Sequence, residues 1–425
     1  MTEFPNVGGT IGMFRDAILS VSKSDQKDMA LGCALAIGGV LTANRFSLNG
    51  RPVYTPMYIM NIGGTSSGKD SGIRLIDCLF GPGGLGLNKH YKLLGLTNYS
   101  SDVAMISTLP EQRTRLDYFQ EFGEVFKGLA MKGDRKSSVG DCLKKLFSAR
   151  EYFNGHFTKT DGNKGRCAYP SVSVFGTIQP STLLAHATPE ILFDGLLGRF
   201  MYFKELEGAG YLGNQRAGGI KPQALTDITE ACLQCYPENP ILDKDMVGSL
   251  ITDQSLSDFY RHPIALSTAL DTYIGEVDRE HHYEMNRLRG EGQEAEAAAY
   301  GKVIENAEKI MKILCVGYGE RTITRSHFDE AMKIVMVSYN NSKELIVGAA
   351  QAKEIRNAEK LLAFVEKQPM GQVRQTKAMK YLHFEVKDMK QAVDYLEETG
   401  RITRIAPDPK PANGKKTVYL CTVKL

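Results

Sequence analysis

The sequence predicts an α/β fold with a mainly parallel sheet, and two patterns lead to this prediction. Short apolar runs alternate with stretches of helical periodicity over about 150 residues, and glycine-rich turns separate the two kinds of segment. The chain has 425 residues, a length that suggests two or three domains. No window approaches 18 consecutive apolar residues, so no membrane span is expected.

The elements follow this alternation in chain order. Helical spacing predicts helices over 11–22 and 25–44, a buried strand over 57–62, and a helix over 70–80. The alternation then continues with an extended stretch at 92–96, a helix capped by Ser100 or Ser101, a strand at 115–119, a helix at 140–149, and strands at 171–178 and 199–203.

The C-terminal part has a different pattern. From residue 255 to about residue 350 the chain reads as helical and strongly charged. Beyond it, helices are predicted over 356–367, 372–383 and 386–399, followed by strands over 401–405 and 417–421 around a loop rich in proline, glycine and lysine. Three helices and a two-stranded hairpin are typical of a winged helix-turn-helix.

Composition places the chain in a reducing compartment. The eight cysteines are scattered without a framework of paired spacings. The N-terminus carries Glu3 and Pro5 where a secretion signal needs basic and apolar residues. A cytoplasmic location is therefore expected.

The strongest motif lies at residues 63–69, which match G-x-x-x-x-G-K between a predicted strand and a predicted helix. In such a P-loop the glycines let backbone N–H groups point at phosphate oxygens, and the lysine adds a positive charge at the β- and γ-phosphates. We expect ATP to be bound by Gly63, Gly64, Thr65, Ser66, Ser67, Gly68, Lys69, Asp70 and Ser71.

Two positions depart from the usual pattern of such sites. Asp70 stands where Ser or Thr holds Mg²⁺, and Gln120 stands where an aspartate faces the metal at the end of the strand 115–119. A carboxylate is a good ligand for Mg²⁺, so a relocated acid could preserve the charge of the site. We expect Asp70 and Gln120 at the metal and Glu121 as the acid that activates water; Asp117 is the alternative metal-facing acid if the register is shifted.

Two further residues complete the predicted catalytic set. Thr177, near the end of the strand 171–178, could read the γ-phosphate and position water, as could Gln179. Arg199 stands between glycines and a buried strand, where ring ATPases carry an arginine that reaches the neighbouring subunit. A salt bridge from Arg199 to Asp194 is the structural alternative.

Over residues 25–345 the chain resembles the phage- and plasmid-encoded P-loop ATPases described as primase/helicase-like replication proteins. The resemblance rests on the apolar helix before the P-loop, the P-loop itself, Gln120-Glu121-Phe122-Gly123, and the elements 175–180 and 194–200. It implies a RecA/AAA+-like core and a magnesium-dependent DNA helicase that forms a hexameric ring in the host cytoplasm. Whether a separate primase or polymerase is a partner stays open. The alternative is a DNA-binding adaptor or helicase loader that uses nucleotide as a switch with weak turnover.

This organisation divides the chain into four parts: a helical segment at 1–50, the P-loop NTPase core at 51–250, a helical lid at 251–350 and the winged helix at 351–425. Residues 355–425 hold 14 Lys or Arg and 8 Asp or Glu, against a net charge of +3 for the whole chain. Such a basic module would suit duplex DNA, and basic loops of the core would suit single-stranded DNA in a channel. The candidate contacts are Lys132, Arg135, Lys136, Lys159, Lys164, Arg166, Lys387, Lys390, Arg401 and Arg404.

Overall fold

The computed structural model describes residues 6–49, 51–82, 87–98, 101–123, 125, 135–148, 152–154, 166–186, 196–212, 219–237, 261–405 and 418–423. The chain forms two compact units, residues 1–344 and 345–425. The predicted α/β class is confirmed, since helices pack on a parallel sheet in the first unit.

The first unit contains the following elements. Its helices are α1 (Gly9–Ser20), α2 (Lys27–Thr42), α3 (Ser71–Phe80), α4 (Leu87–His90), α5 (Asp102–Ser107), α6 (Arg135–Ser148), α7 (Pro180–His186), α8 (Pro222–Cys235), α9 (Thr268–Gly290), α10 (Glu294–Tyr300), α11 (Val303–Gly317) and α12 (Arg325–Glu366), whose last residues belong to the second unit. Its strands are β1 (Phe46–Leu48), β2 (Arg51–Pro52), β3 (Tyr58–Ile62), β4 (Thr114–Phe119), β5 (Tyr152–Asn154), β6 (Arg166–Ala168), β7 (Ser171–Ile178), β8 (Met201–Lys204), β9 (His262–Leu266) and β10 (Thr322–Ile323).

The central sheet has the strand order β4-β7-β3-β8, and all three strand pairs are parallel. All carboxyl ends therefore meet at one edge. The predicted extended stretch at 92–96 runs beside β4, because Leu116 N donates to Leu93 O (2.8 Å) and Tyr118 N donates to Leu96 O (3.0 Å). It forms one isolated parallel bridge rather than a full strand.

Helix α2 is the buried centre of this unit. Every residue of α2 except Lys27 is buried, which explains why its sequence is apolar on all sides. The helix also holds both elements that flank residues 63–70. Asn61 Nδ2 on β3 donates to Met29 O of α2 (2.9 Å), and an ideal Cβ on Gly72 of α3 would lie 2.5 Å from Cys33 Sγ.

Two stretches predicted as helical are strands. β9 pairs in parallel with β1 and with β10, in a second sheet of order β10-β9-β1-β2. The helical prediction was wrong at these residues because neither strand is longer than five residues and both adjoin long helices. Local periodicity cannot identify strands this short next to such helices.

The second unit combines the end of α12 with α13 (Gln375–Tyr381), α14 (Val386–Glu398) and an antiparallel sheet of β11 (Gln372–Arg374), β12 (Ile402–Ile405) and β13 (Tyr419–Thr422). The sheet order is β11-β13-β12. The prediction of one helix over 372–383 was wrong at its start, where Val373 is buried between exposed neighbours in a strand pattern. The predicted helix at 356–367 is the end of α12, whose sequence contains no proline to separate them.

A buried ion pair stabilises the outer part of the central sheet. Arg115 Nε lies 2.9 Å from Asp117 Oδ1 on β4, and both side chains are fully buried. Leu96 N donates to the same carboxylate (2.6 Å), and Arg115 donates to Met105 O of α5 (3.2 Å). The pair therefore joins β4, the stretch beside it and α5.

We expect Asp117→Ala to lower the free energy of unfolding by about 3–5 kcal/mol, because it leaves the Arg115 charge buried without its carboxylate. The control is Asp141→Ala, which breaks the exposed pair with Lys144 and should cost less than about 1 kcal/mol. Urea unfolding of the three proteins measures both values. Equal losses in the two variants would contradict a structural role for the buried pair.

Candidate functional site

The loop between β3 and α3 lies at the edge where the parallel strands end. It turns tightly, since Ser67 N donates to Gly64 O (3.3 Å) and Ser71 N donates to Gly68 O (3.0 Å). Ser66 and Gly68 have φ angles of 65° and 91°, in the left-handed region that favours glycine. At Ser66 this conformation carries a strain that is common at binding loops.

The first and last glycines of the motif have steric reasons to be glycine. An ideal Cβ on Gly63 would lie 2.3 Å from Ser67 Oγ, and one on Gly68 would lie 2.6 Å from Ser22 Oγ. In contrast, a Cβ on Gly64 would meet nothing closer than 3.5 Å. Ser24 Oγ also donates to Ser67 O (3.0 Å), so the segment before α2 supports the loop.

The polar side chains at the start of α3 meet those from β7. Lys69 is buried, and its Nζ lies 3.4 Å from Asp70 Oδ2, whereas Asp70 is partly exposed. The Thr177 hydroxyl lies 2.8 Å from Asp70 Oδ1 and 2.5 Å from the main-chain oxygen of Gln120. The structure thus brings together Lys69, Asp70 and Thr177, and it includes Gln120 through its backbone.

This cluster presents oxygen atoms of the kind that Mg²⁺ prefers. One hydroxyl carries one proton, so Thr177 donates to one of its two acceptors at a time. Mg²⁺ sites in nucleotide-binding proteins commonly use one or two carboxylates together with substrate phosphates. The single carboxylate of Asp70, with the neighbouring hydroxyl and carbonyl oxygens, fits that donor set.

The two acids predicted around β4 have different environments. Glu121 is exposed and forms no hydrogen bond or ion pair with the residues that the structure describes. Phe122 N, directly after it, donates to Thr177 O (2.8 Å), which fixes the end of β4 next to β7. Asp117, the alternative metal-facing acid, is held in the buried pair with Arg115.

An acid that the sequence analysis missed also touches the loop. Glu205, the first residue after β8, accepts a hydrogen bond from Gly64 N through Oε2 (2.8 Å). The carboxylate oxygen of Glu205 is itself anionic, so its contact with Gly64 N shows that this part of the loop can bind an anionic oxygen. Only the strand order reveals this contact, because it places β8 beside β3.

Arg199 lies in a short 3-10 turn at Leu197–Arg199, immediately before β8. It is half-buried, and the centre of its guanidinium group lies 5.8 Å from the centroid of the Phe147 ring on α6. Asp194, its predicted alternative partner, lies outside the described residues.

The predicted nucleic-acid contacts divide into three groups. Lys132, Lys159 and Lys164 lie outside the described residues, as do the side chains of Arg135, Lys136 and Arg166. In the second unit, Arg401 pairs with Glu359, and Arg404 pairs with Asp394 and Glu397. Lys387 and Lys390 are exposed on α14 and form no ion pair with a described residue.

Comparison of the chain with protein-family models and with curated proteins gives no match. Within the described ranges, no helix is both long and apolar enough to cross a membrane. The same part of the chain contains no group of three or more His, Cys, Asp or Glu side chains suited to a metal ion. The oxygen atoms that the structure places around Asp70 belong to the Thr177 hydroxyl and the main chain of Gln120.

The neighbouring glycines of the loop provide a matched test of its geometry. We expect Gly63→Ala to lower the free energy of unfolding by about 1–3 kcal/mol, because its methyl group would displace Ser67. Gly64→Ala should change it by less than about 0.5 kcal/mol.

Urea unfolding measures these effects, and adding Ser67→Ala to Gly63→Ala should recover part of the loss by removing the closest atom. Equal stabilities of the Gly63 and Gly64 variants would contradict the observed loop conformation.

Proposed function

We propose that the first unit is a P-loop NTPase of the RecA/AAA+-like class that binds and hydrolyses ATP with Mg²⁺. The observation that carries this proposal is the meeting of Lys69, Asp70 and Thr177 beside a glycine loop at the carboxyl edge of a parallel sheet. In open α/β sheets, ligands bind at this edge. The glycine loop followed by α3 provides backbone N–H groups and a positive helix end for phosphate.

The strand order supports room for a reaction at this edge. Because β7 lies between β3 and β4, the end of β4 is two strand spacings, about 10 Å, from the strand that carries the loop. That space suits a terminal phosphate and an attacking water between the loop and Glu121. The carboxylate of Glu121 is exposed and has no partner among the described residues, which suits the role of an acceptor for the proton of that water.

In the proposed reaction, water attacks the terminal phosphorus, and the bond from that phosphorus to the oxygen retained by ADP breaks. Glu121 orients the water and accepts its proton, while Lys69 and the loop N–H groups stabilise the charge on the phosphate oxygens. Thr177 holds Asp70 in place through its hydroxyl. Bound Mg²⁺ would neutralise phosphate charge next to the carboxylate of Asp70.

We further propose that ATP hydrolysis drives translocation on DNA in a ring-shaped homo-oligomer, as in a replicative helicase of a phage or plasmid. The resemblance of residues 25–345 supports this part of the proposal. In a ring, Arg199 would act on the site of the neighbouring subunit, which requires its guanidinium group to leave the Phe147 ring. The exposed Lys387 and Lys390 on α14 are the candidate contacts to duplex DNA in a winged-helix second unit.

One observation favours the helicase-loader form of the second candidate, in which nucleotide acts as a switch and the second unit binds a protein. Arg401 and Arg404 are each paired with carboxylates of the second unit, so DNA phosphates would have to displace Glu359, Asp394 and Glu397. A surface with its charges already paired suits a protein partner better than a polyanion.

Lys69→Ala tests the proposal directly. We expect it to weaken binding of a non-hydrolysable ATP analogue with Mg²⁺ by about 10- to 100-fold, because a charge-assisted contact to phosphate is lost. Isothermal calorimetry measures the affinity, with the exposed Lys92→Ala as control and circular dichroism to verify folding. If Lys69→Ala binds like the wild type, the nucleotide site lies elsewhere.

Glu121→Gln should retain nucleotide binding but lower the turnover rate by about 10²- to 10⁴-fold, since the amide cannot accept the proton of the attacking water. Phosphate release measures turnover, and Glu111→Gln, another exposed acid, is the control. Unchanged turnover would assign the role to another acid, such as Glu124.

In the wild type, stimulation of ATP turnover by single-stranded DNA would favour a translocase, and weak turnover that DNA does not stimulate would favour the adaptor or loader.

A further inference from the structure

The side chain of Glu205 contacts the backbone at the start of the glycine loop. Its Oε2 accepts the Gly64 N–H at 2.8 Å and lies 3.5 Å from the ideal Cβ positions of both Gly63 and Gly64. The carboxylate therefore lies over the first two residues of the loop. The sequence motif does not include Glu205, and the proposed hydrolysis does not use it.

The backbone around Glu205 is firmly held. Glu205 N donates to Ile62 O (2.8 Å), which extends the pairing of β8 with β3 by one residue. The backbone N–H of Leu206, the next residue, donates a hydrogen bond to the buried side chain of Gln26 (2.8 Å). The position of this acid beside the loop therefore follows from the sheet.

The same backbone contacts continue along the chain. Asp25 N donates to Gly210 O (2.9 Å), and Leu212 N donates to Lys23 O (2.9 Å). Ser24, which lies between Lys23 and Asp25, donates through its hydroxyl to Ser67 O in the loop. Residues 205–212 and 22–26 thus form one bonded frame around the loop, and the Glu205 side chain can leave Gly64 without breaking that frame.

We propose that Glu205 is an autoinhibitory latch, a carboxylate that competes with nucleotide phosphate for the glycine loop. This inference rests on the proposed nucleotide function and assigns its regulation to a residue of the same site. Nucleotide binds only as the Glu205 side chain leaves the Gly64 N–H. The affinity of the chain for ATP is therefore lower than the loop alone would give.

Two physical effects make this contact inhibitory. A backbone N–H has one proton and cannot donate fully to a carboxylate and to a phosphate oxygen at once. The negative charge of Glu205 also repels the negative phosphates across a short distance, and solvent screens only part of this repulsion although Glu205 is exposed. Both effects disappear when the carboxylate is removed, whereas the frame that holds the loop remains.

The test compares Glu205→Ala and Glu205→Gln with the wild type and with Glu207→Gln, an exposed acid two residues away. Calorimetry with the non-hydrolysable ATP analogue and Mg²⁺ measures affinity. We expect about tenfold tighter binding for Glu205→Ala and a smaller gain for Glu205→Gln, which loses the charge but keeps an acceptor oxygen. Glu207→Gln should bind like the wild type.

Hydrogen exchange without nucleotide provides a second readout. The amide of Gly64 should exchange faster in Glu205→Ala than in the wild type, because its acceptor is gone. Unchanged or weaker analogue binding in both Glu205 variants would overturn the latch while leaving the nucleotide site intact, provided that the wild type binds the analogue and Lys69→Ala binds it more weakly. If the wild type itself binds no analogue and Glu205→Ala does not restore binding, the proposed function and the latch both fail.

Discussion

The close approach of α2 to the central sheet is the constraint on which the rest of the first unit depends. An ideal Cβ on Gly32 would lie 2.5 Å from the Phe203 ring on β8, and one on Gly39 would lie 2.8 Å from Thr55 O. Larger side chains at these positions would push the helix away from the sheet. Because Asn61 of β3 and Gly72 of α3 both contact α2, that separation would also move the two ends of the glycine loop.

The candidate site combines this fixed base with an unusual distribution of charge. Asp70 at the start of α3 contacts both the Lys69 amine and the Thr177 hydroxyl, so one carboxylate connects the loop with β7. The main chain of Gln120 joins the same cluster at the end of β4. A site with its acid in the loop rather than at the end of the strand can still present oxygen ligands to one hard cation.

Much of the first unit could be predicted because its signals are local. The apolar composition of α2, the strand–loop–helix order around Gly63 and the strand at 171–178 are all visible in short windows of sequence. The position of Glu205 and the pairing of β9 with β1 depend on contacts between distant residues, which no window contains. The sequence did not reveal the burial of Asp117 either, because an acid within a strand gives the same pattern whether it faces a metal or pairs with Arg115.

Parallel pairing over long separations also has a consequence for how the chain is made. Met57 N, directly before β3, donates a hydrogen bond to Ser173 Oγ on β7, 116 residues later in the chain. Helix α2 precedes both strands. At synthesis rates of about 5–20 residues per second, roughly 6–23 seconds separate the emergence of these partners from the ribosome. During that interval α2 lacks β7 and β8, which later cover it, so each nascent chain leaves part of an almost wholly apolar helix exposed to chaperones for unfinished polypeptides.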